Sequence, residues 1–211
     1  MQIIDLSLEM KDGSLSYPGT ASGLALERVD MSFPGSTLSR FAHLDPHCGT
    51  HLDAPLHFVS HANDVASQPL ALPELVIISS ILNPIPADVL IGQLSLAGKA
   101  VLFLTGWEKK TGTAAFFEGF PSLSPELAKQ LVSQGVALVG LDSPSVDPAD
   151  STDYPAHRAL LSAGIPIAEG LVNLPSLLPV LERGEHLYFA AFPLRIRGLE
   201  GSPVRAVAIS F

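Results

Sequence analysis

The sequence predicts an α/β protein whose N-terminal half is rich in strands. In that half, short stretches alternate apolar and polar residues, or run apolar between turn residues, as strands do. In the second half, apolar runs alternate with segments that begin at proline and end at glycine, which is typical of helices. With 211 residues, of which 47% are hydrophobic, the chain can form one sizeable core, and we expect a single domain over 1–211.

Four strands are expected in the N-terminal half. IIDLSLEM (3–10) and GLALERVDM (23–31) alternate in polarity and are interpreted as half-buried strands. VIISSIL (76–82) and AVLFLTGW (100–107) are short apolar runs bounded by turn residues and are interpreted as buried strands.

The C-terminal half alternates strands and helices. Its clearest helix has Ser124 as N-cap, Pro125 at the first helical position and Gly135 beyond the end. Pro179 interrupts a third, weaker helix. In chain order the predicted elements are the helix after Ser124, a strand at 136–142, a helix at 154–164, a strand at 165–171, the weaker helix at 176–184, and strands at 187–196 and 202–211.

Charge and composition restrict the partners and the compartment. A net charge of −9 with only 12 Lys and Arg argues against a nucleic-acid or anionic-membrane partner. A single cysteine, Cys48, excludes an internal disulfide and fits a reducing compartment. The start lacks a signal-peptide pattern, and the most apolar region, 75–94, is interrupted by prolines and Asp88. We therefore expect a cytoplasmic protein, and the high apolar content suggests a homo-oligomer.

Five of the seven histidines lie within residues 43–61, and four acid or imidazole side chains there follow the pattern His47-x3-His51-x-Asp53-x3-His57. Neutral imidazole and carboxylate are ligands for zinc, manganese or iron, so this pattern indicates a divalent metal site. His43 and His61 fall outside the pattern and are assigned to the surface or to outer positions.

The local conformation that would gather these ligands stays open at this stage. The i, i+4 spacing of His47 and His51 would place both on one face of a helix. Pro46, Gly49 and Pro55 make a regular helix doubtful, so a tight irregular turn is the alternative. A polar loop with chance histidines is the alternative without function.

Several other chemistries do not fit the sequence. A zincin helix needs Glu directly after its first His, and Cys48 occupies that place. The G-x-S-x-G elbow of serine hydrolases and a glycine-rich phosphate loop are both missing from the sequence. Cys48 itself is interpreted as packed rather than reactive, although its role is not fixed by the sequence.

The run from His47 to Phe58 matches H-x-G-T-H-x-D-x-P-x-H-F and resembles the cyclase family of metal-dependent hydrolases, in particular the bacterial-type kynurenine formamidases (arylformamidases). The segments 140–148 (GLDSPSVDP), 201–207 (GSPVRAV) and AHRALLSAGIPIAEGLVNL, which contains His157 and Glu169, are similar to the same branch. The resemblance extends from Tyr17 to the C-terminus.

The resemblance implies a fold and a two-metal site. The fold would be a mixed, flattened barrel-like β-sheet flanked by helices, of the swivelling β/β/α type, and the protein a homodimer or homotetramer. Two divalent ions, zinc or else manganese, would be held by His47 and His51 on one side and by His157 on the other. Asp53 and Glu169 would be shared between the ions, and His57 would stay unligated as the catalytic proton carrier. A carboxylate such as Glu169, set among apolar residues, needs a charged partner if it is buried.

The resemblance also implies an activity. A metal-bridging hydroxide would hydrolyse N-formyl-L-kynurenine to L-kynurenine and formate in tryptophan catabolism. Related formamidases usually carry Trp where this chain has Tyr17, the expected substrate-binding residue, so the substrate is the open question. The alternatives are a related hydrolase acting on a cyclic amide such as isatin, or on another ester or amide, and a non-catalytic cupin-like metal-binding barrel.

Overall fold

The computed structural model describes residues 1–17, 22–29, 35–92 and 95–211. These ranges contain ten strands and three α-helices, joined by turns and short 3-10 helices. The strands are β1 (Gln2–Asp5), β2 (Leu24–Val29), β3 (Leu38–Leu44), β4 (His51–Asp53), β5 (Leu75–Ser79), β6 (Ala100–Leu104), β7 (Leu138–Leu141), β8 (Ile167–Glu169), β9 (Tyr188–Pro193) and β10 (Gly201–Ser210). The helices are α1 (Pro125–Ser133), α2 (Pro155–Ser162) and α3 (Leu178–Glu182).

Eight strands form one mixed sheet. β5, β6, β7 and β8 are parallel neighbours in that order, and β4 pairs antiparallel with β8. The long strand β10 then pairs antiparallel with β4, with β1 and with β9. β2 and β3 form a separate two-stranded ribbon.

The two ends of this sheet meet, which curls it into a barrel-like shape. The backbone N–H of Leu75 donates to the carbonyl of Leu187 at 2.8 Å, and that of Phe189 donates to Pro73 at 2.9 Å. Glu74 and Tyr188 form the bridge between β5 and β9. The predicted mixed, barrel-like sheet of an α/β protein is therefore confirmed.

The sheet separates two apolar cores. Along β6, Val101 and Phe103 face the core that contains Leu127 of α1 and Leu160 of α2. Leu102, between them, faces the core inside the curl, where Leu52 and Phe189 also lie. Because both faces of the parallel strands are covered, these strands are continuous apolar runs, as the sequence suggested.

The helix boundaries follow the predicted local chemistry. The Oγ atom of Ser124 accepts a hydrogen bond from the N–H of Leu127 at 3.1 Å, and Pro125 opens α1. The predicted weak helix is a 3-10 turn, Leu174–Leu177, followed by the short α3, with Pro179 in its first turn. Within the described part of the chain, none of the helices has the length and apolar character that a membrane crossing requires.

Three strands, β1, β3 and β4, differ from the prediction. β1 ends at Asp5 instead of continuing to Met10, because the chain leaves the sheet after Leu6 and forms one wall of a cavity. β3 and β4 were not predicted, since β3 is exposed over six of its seven residues and β4 has only three residues. The end of the predicted strand at 23–31 (Asp30 and Met31) and the Pro-Gly pair after Tyr17 lie outside the described residues.

Candidate metal centre

Adjacent strands place three of the predicted ligands on one face. In β4, His51 and Asp53 are two residues apart, so both side chains point to the same side of the sheet. Glu169 ends β8 directly opposite His51 in the antiparallel register. All three side chains are buried. The irregular turn, and not the helix, is thus the local conformation before β4, which settles the alternative that the spacing had left open.

The other three predicted residues approach this face from neighbouring segments. His157 lies in the first turn of α2 and is buried. Its ring stacks on Phe58 with 4.8 Å between centroids. His47, from the turn before β4, and His57, from the 3-10 turn Pro55–His57, have ring centroids 4.4 Å apart. The fold therefore gathers all six of these residues, while His43 and His61 stay exposed.

Asp53 lies at the centre of the cluster. Its Oδ1 atom is 2.9 Å from Nδ1 of His47 and 3.6 Å from Nε2 of His51, and its Oδ2 atom is 3.5 Å from Nε2 of His157. Glu169 repeats this arrangement, with Oε2 at 3.4 Å from His51 Nε2 and Oε1 at 3.4 Å from His157 Nε2. Each carboxylate thus has one oxygen directed towards His51 and the other towards His157.

The ligand atoms form two groups in which all members lie within 4.8 Å of one another. One group is His47, Asp53 and His57, and the other is His51, Asp53 and Glu169. Asp53 belongs to both. His57, which was expected to stay unligated, therefore lies within metal-ligand distance of His47 and Asp53.

Burial tests whether a cation fits here. Both oxygens of Asp53 are buried, and neither accepts a hydrogen bond among the described residues. A buried carboxylate in that state is costly unless a positive charge lies beside it. The donor set of imidazoles and carboxylates is the one that divalent zinc, manganese or iron prefers. These residues therefore fit a divalent metal.

The pKa values show the same need for positive charge. Burial lowers the pKa of His47, but the carboxylates of Asp53, Glu200 and Glu169 outweigh it and raise that pKa to about 10. For Asp53, burial raises the pKa, and the surrounding imidazoles bring it well below its usual range. Without a metal, protons on imidazoles supply the charge that balances the buried acids.

His57 differs from the predicted ligands around it. Burial is the main cause of its lowered pKa, the neighbouring His47 and His157 lower it further, and Asp53 opposes them. His57 is consequently neutral at pH 7. A neutral imidazole at the edge of a cavity is able to accept a proton and then return it.

A cavity of about 470 Å³ opens beside the cluster, within the range of small-molecule sites. His57, Tyr17 and Phe117 line it, with Tyr17 and Phe117 in an edge-to-face contact at 6.1 Å between centroids. Burial, with the charges of Glu169 and Asp147 adding to it, raises the pKa of Tyr17 to about 12, so its phenol is neutral at ordinary pH. The cavity therefore joins aromatic walls to a metal-ligand cluster.

Comparison with known proteins identifies the family. The profile of the family described as "Putative cyclase" matches residues 4–148. This chain belongs to that family. The kynurenine formamidase of Geobacillus thermodenitrificans is 34% identical to this cyclase-family chain over 208 residues, which covers 96% of this chain and 95% of the relative. The kynurenine formamidase of Salinibacter ruber is 35% identical over 217 residues, with 98% and 97% covered.

Solved structures share the fold of this cyclase-family chain. Isatin hydrolase A from Ralstonia solanacearum has a TM-score of 0.82 at 25% identity and covers 98% of this chain and 91% of its own. A predicted metal-dependent hydrolase from Bacillus stearothermophilus has a TM-score of 0.75 at 25% identity, with 98% and 97% covered. These matches displace the cupin-like alternative.

Sequence reasoning missed two acids of the cyclase-family site. Asp147 lies in the loop after β7, and its Oδ2 atom is 2.7 Å from Nδ1 of His157. Glu200 precedes β10, and its Oε1 atom is 3.4 Å from Nε2 of His47. Asp147 lies within a segment that carries the family resemblance and Glu200 directly precedes another, but only the folded chain places them beside predicted ligands.

Cys48 takes no part in the cluster. Its side chain is fully buried, with Sγ 3.7 Å from the carbonyl oxygen of Leu15, and it does not line the cavity. Burial raises its pKa to about 11, so it is a neutral thiol at pH 7. It packs as a small apolar residue, in agreement with the interpretation from sequence.

Proposed function

We propose that this chain is a metal-dependent amidohydrolase that converts N-formyl-L-kynurenine to L-kynurenine and formate, a step of tryptophan catabolism. One observation carries the proposal: two kynurenine formamidases are 34% and 35% identical to this chain over nearly the full length of each protein. The hydrolysed bond would be the linear amide between the formyl carbon and the aromatic amine nitrogen.

The proposed cofactor is a pair of divalent ions, zinc or else manganese. His47 and His51 would hold one ion, His157 the other, and Asp53 and Glu169 would contact both. The arrangement of the carboxylate oxygens supports this assignment, because one oxygen of Asp53 and one of Glu169 face His157 while the others face His51. When bound, such ions supply Lewis acidity and lower the pKa of water to near neutrality.

His57 is the proposed catalytic residue. It lines the cavity and is neutral at pH 7 because burial and two neighbouring imidazoles disfavour its charged form. It would take a proton from the attacking water and deliver it to the amide nitrogen, which must be protonated to leave as an amine. General acid–base transfer of this kind contributes about 10²- to 10⁴-fold to the rate.

Tyr17 is proposed to bind the aromatic part of the substrate. Its ring lines the cavity, with Phe116, Phe117 and Phe58 among the other lining residues. Aromatic rings at this position offer apolar contact and stacking to an aryl amide. They also keep the reacting carbonyl away from bulk water, which strengthens electrostatic interactions at the cluster.

The experiment is a turnover assay on the zinc-loaded full chain. We expect N-formyl-L-kynurenine to be consumed with equal amounts of L-kynurenine, measured by its absorbance, and of formate, measured by a coupled assay. Treatment with a chelator should abolish the activity, and zinc or manganese should restore it. A fully metal-loaded protein that leaves N-formyl-L-kynurenine intact would contradict the proposal.

A second candidate is hydrolysis of a cyclic amide such as isatin. It is supported by the TM-score of 0.82 with isatin hydrolase A from Ralstonia solanacearum and by Tyr17 standing where Trp is usual in related formamidases. A parallel assay with isatin, a lactone and a simple aryl ester would decide between the two. Faster turnover of isatin than of N-formyl-L-kynurenine would favour this candidate.

We also propose that residues 1–211 act as one domain in a cytoplasmic homo-oligomer, either a dimer or a tetramer. Phe41 on the β2–β3 ribbon is 65% exposed, and Leu26 and Leu38 on the same ribbon are each 42% exposed. A two-stranded ribbon with exposed apolar side chains is marginally stable alone, which supports its burial between subunits. Sedimentation equilibrium should give a mass of two or four chains, and a monomer at micromolar concentration would contradict this part.

A further inference from the structure

Two imidazoles of the cluster are held in the same way. His157 has Nδ1 at 2.7 Å from Oδ2 of Asp147, and His51 has Nδ1 at 3.1 Å from the carbonyl oxygen of Gly49. In both rings the remaining nitrogen, Nε2, faces Glu169 at 3.4 Å. An outer acceptor on one ring nitrogen fixes the tautomer and leaves the other nitrogen for a metal.

His47 has the opposite orientation. Its Nδ1 atom faces the cluster, 2.9 Å from Oδ1 of Asp53, and its Nε2 atom points outward. Nε2 is buried and has no hydrogen bond among the described residues, and Oε1 of Glu200 lies 3.4 Å from it. Glu200 does not line the cavity.

The backbone holds Glu200 in this place. Its carbonyl oxygen accepts a hydrogen bond from the N–H of Ala54 at 2.8 Å, next to Asp53 in the chain. On the other side, Leu199 accepts from Val65 at 3.0 Å. The segment that carries this carboxylate is therefore hydrogen-bonded to the stretch of chain that follows the predicted metal ligands of β4.

Gly201, the next residue, confines the ring of His47. A Cβ atom at Gly201 would lie 2.6 Å from Cε1 and 2.9 Å from Nε2 of His47, which is closer than real contacts allow. Gly201 is also paired with Asp53 across β10 and β4. The imidazole of His47 thus packs against the backbone of Gly201, which leaves little room for a ring flip that would interchange Nδ1 and Nε2.

From this geometry we infer that Glu200 is a positioning residue for His47: in the metal-loaded protein its carboxylate, 3.4 Å away, would accept the Nε2 proton, so that His47 would bind metal through Nδ1 while His51 and His157 would bind through Nε2. The inference rests on the metal-binding part of the proposed function. The side chain of Glu200 is 37% exposed and that of Asp147 is 1% exposed, so solvent weakens the Glu200 contact. Its effect on metal affinity should be near the lower end of the usual 10- to 100-fold range for outer ligands.

The first test reads the tautomers directly. In zinc-loaded protein labelled with ¹⁵N-histidine, two-bond ¹H–¹⁵N spectra distinguish a protonated ring nitrogen from a metal-bound one. We expect a proton on Nε2 of His47 and on Nδ1 of both His51 and His157. A proton on Nδ1 of His47 would overturn the inference, whatever the enzyme's substrate proves to be.

The second test measures zinc affinity by competition with a chromophoric chelator. Glu200→Ala should weaken binding about 10-fold, and Glu200→Gln, which keeps an acceptor oxygen, should weaken it less. Glu182→Gln, which removes a similar exposed charge from the end of α3, is the control and should match the unmodified chain. Equal affinities for all four proteins would overturn this inference alone, whereas an unmodified chain that binds no zinc would overturn the proposed function as well.

Discussion

Oδ2 of Asp147 lies 2.7 Å from Nδ1 of His157 and also accepts the backbone N–H of His157 at 2.9 Å, while Oδ1 accepts that of Ala156 at 2.9 Å. One carboxylate therefore orients a predicted metal ligand and caps the helix that carries it. Burial would raise the pKa of Asp147, but these hydrogen bonds outweigh it and lower that pKa. The acid is ionised at pH 7 and able to accept all three bonds.

Asp147→Asn should weaken zinc binding about 10- to 100-fold, because the amide cannot hold the His157 proton as a carboxylate does. The variant should also lose about 1 kcal/mol of unfolding free energy at the start of α2. Chelator competition and urea denaturation would measure the two effects. Asp150→Asn, an exposed change in the same loop, is the control. If Asp147→Asn had the same zinc affinity as Asp150→Asn, Asp147 would not orient a metal ligand.

His57→Ala should reduce kcat about 10²- to 10⁴-fold and leave the number of bound metal ions unchanged, because it removes proton transfer only. Elemental analysis together with the turnover assay would check this. His61→Ala removes an exposed histidine of the same stretch and should keep full activity. Since His57 is within ligand distance of His47 and Asp53, loss of one ion in His57→Ala would identify it as a ligand instead.

Asp53→Ala should lose metal as well as activity, because its two oxygens face both sides of the cluster. Elemental analysis after dialysis should find fewer than half of the ions held by the unmodified chain. Asp88→Ala, at an exposed position far along the chain, should retain both metal and turnover. Full stoichiometry in Asp53→Ala would exclude a shared carboxylate.

Metal removal should make stability depend on pH. Without metal the pKa of His47 is about 10 in the folded chain, compared with an ordinary value of 6.5. A raised histidine pKa contributes stability that is complete below about pH 6.5 and is lost as the pH rises towards 10.

The Tm of chelator-treated protein should therefore fall between pH 7 and pH 10 more steeply than that of zinc-loaded protein, in which His47 is a neutral ligand. Calorimetry across this range would measure the two slopes. His47→Gln should flatten the metal-free slope, whereas His43→Gln, at an exposed position, should preserve it. Parallel slopes with and without zinc would contradict the assignment.

Tyr17→Ala should lower kcat/KM for N-formyl-L-kynurenine about 10-fold, mainly through KM, because it removes aromatic contact with the substrate. Tyr17→Phe, which keeps the ring, should retain most of the activity. Because the pKa of Tyr17 is about 12, neither effect should vary between pH 6 and pH 9. If Tyr17→Ala left kcat/KM for all aromatic amides unchanged, Tyr17 would not be a substrate contact.

Elements with strong local boundaries were predicted well from sequence. α1 begins where Ser124 and Pro125 indicated, and α2 begins at Pro155 as expected. The apolar run of β6 was also recognised. These features depend on caps, proline geometry and apolar runs, which act over a few residues.

Features that depend on distant partners were not predicted. β3 is exposed over six of its seven residues, and β4 has only three residues, so neither forms a long buried apolar run. Asp147 and Glu200 are unremarkable acids in the sequence. Only the fold brings Asp147 to His157 and Glu200 to His47. Of the predicted ligands, His47, His51 and Asp53 were recognised because five imidazoles crowd one short stretch, whereas His157 and Glu169 were assigned through the family resemblance.

The last strand of the chain has a consequence for how this protein matures. β10 pairs with β1 and β4, which both lie in the first third of the sequence, and with β9, which directly precedes it. Until β10 has been synthesised, β4 lacks one neighbour and His47 lacks the backbone of Gly201 on which it packs. Metal uptake should therefore follow the synthesis of β10, and chains without Gly201–Ser210 should remain metal-poor however much zinc is supplied.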